Sequence, residues 1–144
     1  MFRRLKKDLQ QFDKNNLDPK KVIKATYFCA YKKTVIVKVP FSRSGLSIGI
    51  IFLGNKAKDE NLVKHEYGHR LQLEQMGLFR YLKKVFFPSV TANLLDRLGR
   101  LPYDYYGSPW EAEADRLGGV KRKRSVKLWP ENAGKTVKDL LKML

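Results

Sequence analysis

The chain has only two histidines, and they stand four residues apart with a glutamate after the first, in the run His65-Glu66-Tyr67-Gly68-His69. Four residues is just over one helical turn, so on a helix both imidazoles project from one face, with Cβ atoms about 5–6 Å apart, and can share one ion. Glu66 is rotated part-way around such a helix, where its carboxylate reaches water beside the ion without being a ligand. Two histidines scattered at random over this length fall four apart about once in seventy tries, and a glutamate then follows the first about one time in twenty. The run therefore reads as a metal site rather than as coincidence.

The surrounding residues favour a helix. Asp59 and Glu60 put negative charge at its start, Leu62, Tyr67 or Gly68, Leu71, Leu73 and Met76 recur at near-helical spacing, and Gly77 supplies a stop. Gly68 costs a helix about 1 kcal/mol relative to alanine. The expectation is that its missing side chain lets a neighbouring helix or strand pack close to the metal.

Two imidazoles alone hold a metal weakly, and catalytic zinc normally takes three protein ligands and keeps a position open. The third is sought downstream, in the stretch from Ser108 to Gly118. Pro109 suits a first helical turn, acidic residues follow, and Gly118 and Gly119 end the segment. On that short helix Glu111 and Asp115 share a face, whereas Glu113 points roughly 200° away from Glu111 and reads as a solvated side chain. Glu111 is the expected ligand, with Asp115 beside it accepting from the other ring N–H of a histidine.

The pattern HEYGH followed by Glu111-x-x-x-Asp115 resembles the gluzincin group of zinc metallopeptidases, defined by HExxH and a later ExxxD. The strings HEYGHRLQ and PWEAEADRLGG resemble small bacterial zincin-like proteins of the minimal gluzincin type, over about Ser47 to Gly119. The resemblance implies a bound Zn2+ with His65, His69 and Glu111 as ligands, Glu66 as general base, and Asp115 supporting a ligand histidine. It also implies cleavage of a peptide or protein substrate by water that the ion and Glu66 activate, the substrate being laid along the strand before the HExxH helix. Two departures stand out: the spacer from His69 to Glu111 is longer than in the large gluzincins, and no histidine remains to stabilise an oxyanion. Tyr103, Tyr105 and Tyr106 are candidate oxyanion donors, with Arg70 and Arg116 as cationic alternatives. The same ligand set would also serve an amidohydrolase or deacylase. The main alternative is a module without turnover that keeps zinc for structure and docks on an anionic partner, nucleic acid or a membrane surface.

The predicted fold is α+β and zincin-like: a small sheet of three or more strands, antiparallel or mixed, packed on the HExxH helix, with a second helix carrying the glutamate. One domain spans 1–144, divided into a basic N-terminal helix (1–20), a catalytic core (21–119) and a basic tail ending in a short helix (120–144). Phe2, Leu5, Leu9 and Phe12 place the first helix over Met1 to about Asn16, ended by Asn15, Asn16, Asp18 and Pro19. Val22–Phe28 and Thr34–Val39 read as a hairpin across Tyr31-Lys32-Lys33, Ser42–Gly45 as a turn, and Leu46–Leu53 as a third strand. Apolar residues from Leu78 to Leu98 suggest a helix, kinked or broken at Pro88, that covers the metal helix; resting on a membrane surface is its second option.

No apolar core resembling a secretory signal follows Met1, and no stretch approaches the roughly 18 apolar residues needed to span a bilayer. The single Cys29, expected as a small buried strand residue, fits a reducing, cytoplasmic compartment. Thirty basic residues against 14 acidic ones give a net charge of +16, which favours association with polyanions. Lys121-Arg122-Lys123-Arg124 is a candidate phosphate-contacting patch, but no nucleic-acid-binding motif accompanies it. Oligomeric state leaves no mark in the sequence.

Overall fold

In the computed structural model, which describes residues 1–10 (backbone alone at 9 and 10), 18–40 and 42–144, the sheet starts from a two-residue turn. Lys32 and Lys33 both take positive φ, 45° and 65°, joining β1 (Phe28–Tyr31) to β2 (Thr34–Val39) with Tyr31 paired to Thr34. Positive φ at both turn residues matches the twist of the flanking strands, although lysine lacks the usual asparagine–glycine chemistry for it. Upstream, the structure corrects the sequence reading. Pro19–Lys24 is a helix (α2), because Asp18 accepts from Lys20 N at 2.9 Å and Pro19 is pre-set for a first turn. This start signal overrides the strand preference of Val22 and Ile23.

The expected single strand over Leu46–Leu53 is in fact two. Gly49, at φ 79°, turns β3 (Gly45–Ile48) directly into β4 (Ile50–Gly54), with Ile48 opposite Ile50. A turn this tight carries one glycine and no polar residue, so the apolar run looked unbroken. Gly45, expected in a turn, opens β3. The resulting four-stranded sheet has the order β1-β2-β4-β3, with β2 and β4 parallel and the other pairs antiparallel. The fold is α+β with a mixed sheet, and β1 and β3 are its edges.

Helix α1 (Phe2–Gln10) is tied to the sheet through the buried Asp8 carboxylate, which accepts from Thr26 N and Tyr27 N. The residues proposed to continue and end that helix, Phe12, Asn15 and Asn16 among them, lie outside the described residues. The HEYGH run lies on α3 (Glu60–Met76), capped by Asp59 and ended at Gly77. After it, α4 (Leu78–Tyr81) passes through a π-helical turn at Leu82–Phe86 into α5 (Phe87–Arg97). Pro88 cannot donate into an unbroken α ladder, and the chain widens by one residue just before it instead of breaking. Helix α6 (Pro109–Gly118) carries the acidic motif, and α7 (Val137–Leu141) starts at a Thr136–Asp139 capping box.

Among the described residues the buried apolar side chains gather in two cores, one on each side of α3. Val22, Cys29, Ile36, Ile51, Leu53 and Val63 join the sheet, α2 and one side of α3. Tyr81, Val85, Leu95, Trp110, Trp129 and Leu140 join the other helices and the tail. The tail is not loose: Trp129 donates from its backbone to Gly107 O at 2.9 Å and from its indole to Asp104 O at 2.7 Å. Among the described residues no helix is long and apolar enough to cross a membrane.

Candidate metal centre

Helices α3 and α6 meet backbone to backbone. A Cβ on Gly68 would stand 1.9 Å from the Ala114 carbonyl oxygen, and one on Gly118 would stand 2.0 Å from that of Lys64. Only glycine fits at either point, which explains why a helix-weakening residue sits inside the HEYGH run. The close crossing carries Glu111 across to the two histidines. His65 Nε2 lies 2.9 Å from Glu111 Oε2 and His69 Nε2 lies 3.4 Å from it. All three side chains are buried, and one ligand atom from each falls within 4.8 Å of the others.

The far side of each ring is occupied by an acceptor. His65 Nδ1 is 2.6 Å from Asp115 Oδ1, so it carries the proton and donates to the carboxylate. His69 Nδ1 is 2.8 Å from Gln72 Oε1; because Gln72 Nε2 donates to Trp110 O at 2.9 Å, its oxygen must face the ring. Both Nε2 lone pairs are thereby turned inward. Arg122, from the basic tail, donates from Nε to Asp115 Oδ2 and from Nη2 to Oδ1 at 2.9 Å, and its guanidinium lies 3.5 Å from the centre of the Tyr106 ring. Glu111 Oε1 accepts from Ser89 Oγ at 2.5 Å and from the Tyr105 hydroxyl at 3.0 Å.

These contacts leave one oxygen over. Glu111 Oε2 is buried and close to both rings, yet neither approach has hydrogen-bond geometry and it has no hydrogen-bond partner among the described residues. Ligands about 2.0–2.2 Å from a tetrahedral ion stand roughly 3.3–3.5 Å from one another, which the 3.4 Å His69–Glu111 separation matches and the 2.9 Å His65–Glu111 separation would widen to reach. Two inward imidazole nitrogens and an orphaned carboxylate oxygen are a donor set suited to a divalent metal such as zinc. His65, His69 and Glu111 can therefore hold a metal ion.

The electrostatics of the metal-free site fit the same picture. Burial pushes His65 toward neutrality, but its contacts with Asp115 and Glu111 and the charge of Glu66 outweigh that and raise it to about 10. For Glu111, burial acts upward and is overcome by His69 and His65, which hold the carboxylate well below its usual range. Protonation of His65 and metal binding at its Nε2 therefore compete. Glu66 moves the other way, raised mainly by burial, with the histidines opposing and Glu111 assisting. Its Oε2 is buried without a hydrogen-bond partner among the described residues. Glu66 fits against β3 only because residue 45 is glycine: a Cβ there would stand 2.5 Å from Glu66 Oε1.

A recess of about 50 Å³, bounded by Gly45, His65, Glu66, His69, Ser89 and Tyr105 among others, lies over this group. Of the candidate oxyanion donors, Tyr105 lies at the recess but donates its hydroxyl proton to Glu111, and burial followed by the Glu111 charge pushes it up. Tyr106 sets its ring edge against His65, 5.9 Å between centres. Tyr103 packs on Trp129, away from the ligands. Arg70 and Arg116 are engaged with Glu74 and Glu113. Sequence reasoning missed Gln72, Tyr81, Ser89 and Arg122. Gln72, one turn beyond His69, was open to detection by helical spacing, whereas nothing marked Arg122 within its basic run. Within Lys121–Arg124, Arg122 pairs with Asp115 and Arg124 with Asp104. Compared with protein-family models, curated proteins and solved structures, the chain gave no match.

Proposed function

We propose that the chain is a zinc-dependent peptidase with a centre of the minimal gluzincin type on a zincin-like fold. The observation that carries the reading is a buried carboxylate with an unpaired oxygen, Glu66, sharing one recess with His65 and His69, the two rings that converge on Glu111. A zinc ion held by those three residues supplies Lewis acidity to a carbonyl and acidifies water. Glu66 would take the proton from the attacking water and return it to the leaving amine. Asp115 and Gln72 fix the ring tautomers, while Ser89 and Tyr105 hold Glu111 by its other oxygen.

The edge strand β3 offers a place for an extended peptide. Ser44 O accepts from Gly54 N at 2.8 Å, so along β3 the alternate residues Gly45 and Ser47 turn their main-chain groups to the open edge. The Tyr81 hydroxyl occupies the Ser47 carbonyl at 2.7 Å. A bound peptide would pair with Gly45 and the Ser47 N–H, or displace Tyr81.

The volume of the recess favours a second reading. About 50 Å³ admits water but no peptide side chain, and in this reading the metal serves folding while the protein acts by docking. Metal analysis with peptide-library cleavage separates the two. On the peptidase reading Glu66→Gln retains stoichiometric zinc and loses cleavage; full activity in that variant rejects the mechanism. Zinc bound without Glu66-dependent cleavage of any peptide assigns the second reading.

A further inference from the structure

The residues from Leu78 to Leu98 do not all turn inward. Tyr81, Val85, Ala92 and Leu95 are buried, but Phe87, Val90, Leu94 and Leu98, spaced by three, four and four residues, form a row along α5 that is about half exposed. Phe79 leaves 87% of its surface in solvent. Between Phe79 and Phe87 lies an apolar groove of about 1000 Å³, walled by Met76, Leu82 and Trp110, at the top of the size range of small-ligand clefts. Lys83, Lys84, Lys135 and Lys138 also border it. Its one acidic neighbour, Glu113, is paired with Arg116.

Charge decides what covers this face. From Gln75 to Tyr103 there are five cations, Arg80, Lys83, Lys84, Arg97 and Arg100, and one acid, Asp96. A second copy of a chain bearing +16 would bring like charge against like, which opposes self-association. An apolar row flanked by lysine and arginine, with exposed aromatic rings, is the composition of surfaces that sit at the boundary between lipid headgroups and acyl chains. We propose that the face formed by α4, the π turn and α5 docks on an anionic lipid bilayer, with Phe79, Phe87 and Leu94 entering the acyl boundary and the lysines meeting lipid phosphates. Val90 and Phe86 also border the recess over the metal centre, so docking sets that recess beside the membrane surface. The docking requires neither metal nor turnover.

Co-sedimentation of the full chain with vesicles tests this, comparing phosphatidylcholine alone with a phosphatidylcholine–phosphatidylglycerol mixture. The expected result is binding to the anionic vesicles that weakens with salt, drops about tenfold or more in Phe79→Ser/Phe87→Ser, and drops about fivefold for each of Lys83→Gln and Lys84→Gln. These side chains are exposed, and an unchanged circular dichroism spectrum verifies folding; Leu94→Gln repeats the apolar test at a separate site. Three results overturn the proposal. They are no binding by the wild type, equal binding by wild type and apolar variants, which would mean charge adsorption alone, and a solution dimer that the same substitutions dissolve, which would give the face to a second copy.

Discussion

The seam between α3 and α6 and the flank formed by α4 and α5 use helices in opposite ways. In the seam, side chains are omitted at the crossing so that backbones touch, and most buried polar atoms have a partner; the exceptions include one oxygen each of Glu66 and Glu111. On the flank, large apolar side chains face solvent with nothing over them among the described residues. The difference teaches where each region does its work. The seam is completed within the chain except for what a metal would supply, while the flank is completed only by something outside it.

Substituting the crossing itself should break the comparison most severely. Gly68→Ala forces a methyl group against the Ala114 carbonyl, where only movement of a whole helix relieves the clash, and is expected to cost about 3 kcal/mol or more in chemical denaturation. Leu94→Ser, on the exposed row, should stay within about 0.5 kcal/mol. A tolerant Gly68 and a sensitive Leu94 would reverse the assignment of the two regions.

A smaller effect sharpens the role of the tail. Arg122→Ala removes the cation that holds Asp115 against His65, and zinc affinity should fall about 10–100-fold in a competition titration. Arg124→Ala, whose partner Asp104 hydrogen-bonds neither ring among the described residues, should lower affinity far less and serves as the control.

The smallest expected effect is on pH dependence. In metal-free protein His65 is raised from 6.5 to about 10, so the stability it contributes is complete below 6.5 and is lost as pH climbs toward 10. Glu111 is lowered, so its contribution is present above 4.5 and is lost as pH falls below that value. Thermal melts without metal should therefore show this pair contributing most between about pH 4.5 and 6.5. The rise in Tm on adding zinc should grow as pH climbs toward 10, where the competing proton leaves His65.

The seam was legible in the sequence because its chemistry is carried at helical spacing. His65 and His69 share a face, as do Glu111 and Asp115, and each pair needs only a helix to be aligned. Gly68 signalled a close approach for the same reason. The flank was not legible, because apolar spacing shows that a helix has apolar faces but not which one turns inward. The π turn before Pro88 also shifts the helical phase midway. The hairpin at Gly49 stayed hidden inside an unbroken apolar run, and α2 was misread because β-branched residues outweighed a one-residue cap. Arg122 and Ser89 reach the centre through tertiary folding alone, which no local pattern encodes.

The central claim is that His65, His69 and Glu111 grip one ion. Anomalous diffraction at the zinc edge from a crystal of the zinc-loaded chain tests it most directly. A single strong peak is expected about 2.0–2.2 Å from both Nε2 atoms and from Glu111 Oε2. A peak elsewhere on the chain, or a site that leaves Glu111 uncoordinated, would contradict it.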